Sequence, residues 1–93
     1  MIKKINVIEK DIVEGQSGCG LSCAIALAVR RKFKTNDVQV YVDYEDEDNN
    51  KYSTFITVKD KNFIVNDPNV YSFIDDFDYG LDVEPIQFNM EEV

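Results

Sequence analysis

Apolar and polar residues alternate along three short stretches of the chain and recur on a helical period along two. Over residues 2–8, Ile5 and Val7 fall on one side and Lys4 and Asn6 on the other, the period-two mark of a half-buried strand; a polar turn at Glu9-Lys10-Asp11 follows, then Ile12 and Val13. Across residues 21–29 only Ser22 is polar, too apolar for a helix with one wet side. Leu21, Ile25, Val29 and Phe33 recur at every fourth position, with Ala24, Ala26 and Ala28 letting neighbours come close. This predicts a central helix over residues 21–33, ended by Asn36 or Asp37. Arg30, Arg31, Lys32 and Lys34 complement its negative end.

Val38, Val40 and Val42 alternate with Gln39, Tyr41 and Asp43 in a second strand that runs into a loop over residues 44–50. Residues 52–59 and Phe63-Ile64-Val65 flank the turn formers Asp60, Lys61 and Asn62, a hairpin pattern. Asp67 reads as an N-cap with Pro68 at the first helical position; Val70, Phe73, Ile74 and Phe77 form the apolar stripe of a second helix that Gly80 closes. After Pro85, Ile86, Phe88 and Met90 alternate with Gln87, Asn89 and Glu91 in a final strand. Residues 1–93 therefore read as one α+β domain of order β-α-β-β-β-α-β, a mainly antiparallel sheet with two helices on one face.

Gly15, Gly18 and Gly20 crowd into six residues ahead of the central helix, a tight entrance with Ser17 as the expected N-cap. Cys19 and Cys23 lie four residues apart, a helical spacing that seldom suits a disulfide, so both read as reduced. With no histidine and no other cysteine, the chain lacks the donors of a zinc site, and no metal is expected. A thiol at a helix N-terminus is nucleophilic on paper, but Cys19 has no histidine to serve as its base, and the chain is expected not to be an enzyme. Gln16-Ser17-Gly18-Cys19-Gly20 and Phe63-Ile64-Val65-Asn66-Asp67-Pro68 resemble the Cys-Gly and Asp-Pro signatures of papain-like bacteriocin-processing peptidases. The position of that family's histidine falls in Tyr52-Ser53-Thr54, at far too short an interval, which excludes the activity. The alternative reading of Gly15, Ser17, Gly18, Cys19, Gly20 and Cys23 is a nest of amides for a small molecule or anion. The stretch lacks the lysine and hydroxyl pair of a phosphate loop and the spacing of a dinucleotide fingerprint, and no cofactor is expected.

Charge changes the picture more than composition does. Net charge is −8, yet residues 1–61 hold ten bases and ten acids, while residues 62–93 hold eight acids and no base. That argues against direct nucleic-acid binding, which needs cations to displace counterions, and admits a basic partner. Asp43, Glu45, Asp46, Glu47 and Asp48 lack the alternation and central glycine of a calcium loop. Asp75, Asp76, Asp78, Asp82 and Glu84, with Tyr71 and Tyr79 as anchors, are the candidate partner-binding set: carboxylates held on ordered structure cost less entropy to dock. No apolar run approaches a membrane span and the first residues alternate, so a cytoplasmic protein is expected; exposed edge strands admit a homodimer.

Asp11-Ile12, Gly15, Cys19, Cys23-Ala24-Ile25-Ala26-Leu27-Ala28 and Arg30-Arg31, followed by Phe73-Ile74, Phe77-Asp78, Gly80, Val83, Pro85 and Phe88, resemble a group of small bacteriophage-encoded proteins of unknown function across nearly the whole chain. Ala24 departs from the proline of that group. The resemblance implies a phage or prophage origin and supplies no activity. Together with the charge pattern it gives the expectation of a non-enzymatic interaction protein, acting in the host cytoplasm, that modulates a basic host protein such as a defence or nucleic-acid-binding factor.

Overall fold

The computed structural model describes residues 2–18, 20–45 and 51–93. Strands β1 (Ile2–Val7), β2 (Val38–Glu45), β3 (Lys51–Val58), β4 (Lys61–Val65) and β5 (Ile86–Glu92) form one sheet in the order β1-β5-β4-β3-β2, with every neighbouring pair antiparallel. Helices α1 (Glu9–Glu14), α2 (Ala24–Phe33) and α3 (Pro68–Asp78) complete the α+β architecture that the alternation predicts.

The apolar positions of the strands make one core. Ile5, Val7, Val38, Ile56, Phe63, Val65, Phe88 and Met90 are buried together with Ala24, Ile25, Ala26, Ala28 and Val29 of α2 and Val70, Phe73 and Phe77 of α3. Because the buried residues of α2 occupy most of its circumference, and its alanines admit close neighbours, the helix reaches both edge strands, β1 and β2. Phe33, half-buried at its end, meets Phe63 with ring centroids 5.9 Å apart.

The alternate strand residues point to the other side of the sheet, which no described element covers. One row crosses all five strands there: Tyr41, Phe55, Ile64, Glu91 and Ile2 lie side by side in register. The Tyr41 and Phe55 rings stack with centroids 5.5 Å apart. Gln39, Asn62 and Asn89 stand beside the row, Asn6 and Gln87 one same-face position beyond the Lys4–Asn89 pair, and all five amides are exposed.

Five local expectations are corrected. The polar turn at Glu9-Lys10-Asp11 is the start of α1, held because the Asp11 carboxylate accepts the Ile8 N–H at 3.0 Å, half of a capping box that Ile8 has no oxygen to reciprocate. Helix α2 begins at Ala24 and not at residue 21; Leu21 is 58 % exposed. It ends before Asn36, where Lys34 turns left-handed (φ 55°) and the Thr35 N–H reaches the Arg30 carbonyl at 3.3 Å. Of the loop expected over residues 44–50, residues 44 and 45 belong to β2, which continues through Glu45, and β3 starts at Lys51; residues 46–50, with Asp46, Glu47 and Asp48, lie outside the described residues. The β3–β4 turn is Lys59-Asp60, with Lys59 at positive φ, and not Asp60-Lys61-Asn62.

Helix α3 follows its sequence signals at both ends. Asp67 Oδ1 accepts the Asn69 N–H at 2.9 Å, and Pro68 occupies the first helical position. At the far end the Leu81 N–H reaches the Asp76 carbonyl (2.9 Å) and the Gly80 N–H that of Phe77 (3.1 Å), with Gly80 at φ 76°. This is a Schellman closure, which needs the left-handed residue that glycine supplies.

Candidate functional site

Residues 15–18 and 20–23 form a clasp joining three elements. The Gly15 N–H donates to the Asp11 carbonyl (2.9 Å), the Gln16 N–H to the Ser22 carbonyl (2.8 Å) and the Gly18 N–H to Asp78 Oδ1 (2.8 Å). Ser17 is not the N-cap of α2: its hydroxyl donates to the Phe77 carbonyl at 3.0 Å, and Cys23 caps the helix, its Sγ accepting the Ala26 N–H at 3.4 Å. Gly20 lies against the outer edge of β2, where its carbonyl accepts the Val40 N–H at 2.8 Å. Cys19 lies outside the described residues.

An open cleft of about 240 Å³ is lined by Gly18, Gly20, Cys23, Val40, Ile74 and Asp78. The chain itself, however, takes up three of the amides that an anion nest would offer. An incoming anion would find those of Gly15, Gln16 and Gly18 engaged, and would face the negative charge of Asp78.

Burial pushes the Cys23 thiol above the usual thiol range; the charge of Asp78 adds to the rise and the Ala26 N–H works against it. The side chain is 7 % exposed. Peptide mapping after iodoacetamide treatment at neutral pH is expected to find Cys23 unmodified in the folded protein and modified in urea. The stability contributed by keeping this thiol neutral is whole below the ordinary thiol range. It is lost as pH rises through the raised folded value.

The second feature is the end of α3. Asp75 and Asp78 are exposed and Asp76 is half-buried in its last turns; Tyr79 follows at 77 % exposure, Leu81 at 58 %, then exposed Asp82 and Glu84. Tyr71, two turns earlier, is half-buried. Among the described residues the ion pairs are Lys10 with Glu14 (4.0 Å) and Arg31 with Asp11 (2.6 Å), so no carboxylate after residue 61 is paired with a described cation. Asp78 is drawn into the clasp by the Gly18 amide, and the rest of the predicted acidic set faces solvent to different degrees. Leu81 was not singled out from sequence; its signal is its place immediately after the left-handed glycine, where a Schellman closure positions it.

The two long helices contrast. The last turn of α2 carries Arg30, Arg31 and Lys32, the sign that its carbonyl end favours. The corresponding end of α3 has no base and three aspartates, the sign that its carbonyl end repels.

These features define an α+β domain, an antiparallel sheet with its helices on one face and an unpaired acidic helix end. The chain matches no family model, no curated protein and no solved structure. Among the described residues no helix is long and apolar enough to cross a membrane.

Proposed function

We propose that this protein is a non-enzymatic interaction module whose acidic surface at the end of α3 binds a basic surface on another protein. The carrying observation is that Asp75 and Asp76 stand at the repelling end of the helix with no cation beside them among the described residues. A local electrostatic rule broken without internal compensation is a mark of a surface kept for a partner. Asp82 and Glu84 extend the charge, and exposed Tyr79 and Leu81 supply the apolar contact that charge alone does not. The resemblance to small phage proteins supports placing that partner in a bacterial host, where a defence or nucleic-acid-binding factor has the required basic surface.

The test joins binding to stability. The Asp75→Asn/Asp76→Asn variant, which spares Asp78 and the clasp, is expected to be more stable to urea by about 0.5–1 kcal/mol, because two repelled charges leave the helix end. The same variant is expected to lose a basic host protein that the wild type retains at about 50 mM salt and releases at about 500 mM. Retention indifferent to salt, or equal for both proteins, counts against the reading.

A further inference from the structure

We infer that the uncovered face of the sheet is the contact between two copies of this chain. The row of Tyr41, Phe55, Ile64 and Ile2 is a continuous apolar band interrupted only by Glu91, with Ile2 63 % and Tyr41 44 % exposed. An apolar band on a sheet face with nothing over it calls for a cover.

Charge selects the occupant. In a chain of net charge −8, the described side chains of this face carry one base, Lys4, and one acid, Glu91. A basic partner is drawn to the acidic helix end, whereas this face, whose described side chains balance in charge, is where two equally charged molecules approach at least cost. The rim fits a copy as well. An isologous contact needs groups that complement themselves, and the amides of Asn6, Gln39, Asn62, Gln87 and Asn89 each both donate and accept. Five strands about 4.8 Å apart, over about six residues at roughly 3.3 Å each, offer a footprint near 500 Å² per copy, about 1,000 Å² in all. That is the small end of specific interfaces, so the dimer is a weak one that forms at micromolar concentrations or above.

Sedimentation velocity from about 1 to 500 µM is expected to show a monomer–dimer equilibrium that tightens between about 50 and 500 mM salt, as the like charges are screened. Ile64→Lys and Tyr41→Lys should each weaken it at least about tenfold with unchanged circular dichroism, and Glu91→Gln should tighten it. If Ile64→Lys does not fold, Ile2→Lys at the most exposed end of the row carries the test. A monomer at every concentration and both salts overturns the inference and leaves the row to a different partner. A dimer indifferent to these substitutions overturns it too. The reading stands apart from the acidic helix end: raised salt acts on the two in opposite directions, and Asp75→Asn/Asp76→Asn should not weaken the dimer.

Discussion

Gly20→Ala is expected to cost about 3 kcal/mol or more in urea or thermal unfolding, a large share of a small domain's stability. A methyl group at Gly20 would fall on the carbonyl oxygen of Val40 and lie 3.3 Å from its carbonyl carbon. Neither partner can step aside, because Val40 is fixed by its pairing with Ile56 and by donating its N–H to Gly20. The control is Gly18→Ala, where φ is 71° but nothing lies within 4 Å of the added carbon. That change meets only the left-handed penalty and should cost about 1 kcal/mol. A larger loss for Gly18→Ala than for Gly20→Ala would show that the clasp does not press on β2 as described.

The second large effect concerns Asp11, which is 4 % exposed. Its carboxylate accepts the Ile8 N–H and receives the Arg31 guanidinium at 2.6 Å, while a second Arg31 nitrogen donates to the Asn6 carbonyl at 2.9 Å. Arg31→Met keeps the side-chain stem but strands a buried carboxylate, and is expected to destabilise by about 2–4 kcal/mol. Asp11→Asn should cost less, since the amide oxygen still accepts from Ile8 and no charge is stranded. Because Asp11→Asn removes the charge that Arg31→Met isolates, the double variant should be more stable than the sum of the two losses predicts, by about 1 kcal/mol or more. Strict additivity would mean the pair is not coupled.

These two sites also show what a sequence discloses. The strands and α3 were legible because their signals are local: alternation within a few residues, Asp67-Pro68 at one end, Gly80 at the other. Helix α1 was not, because its N-cap Ile8 has no side-chain oxygen and the cation satisfying Asp11 comes from twenty residues away. The start of α2 was misplaced for a similar reason, since the sulfur of Cys23 does what an oxygen of Ser17 was expected to do. For the candidate surfaces, the segregation of charge after residue 61 was readable, but the capture of Asp78 by Gly18 bridges sixty residues. The apolar row was hidden because Tyr41, Phe55 and Ile64 each look like an isolated exception to alternation. Only the strand register lines them up.

The pairing of β1 with β5 carries a kinetic consequence. β1 has one neighbour in the sheet, and that neighbour is β5, which follows every other strand and helix described. Closing so long a loop is entropically slow, and hairpin contacts among β2, β3 and β4 come first. During synthesis, the first strand therefore waits without a ladder until the final one leaves the ribosome. Until then one flank of α2 stays uncovered, which makes the half-finished chain, more than the native one, the form most exposed to aggregation and to chaperone capture.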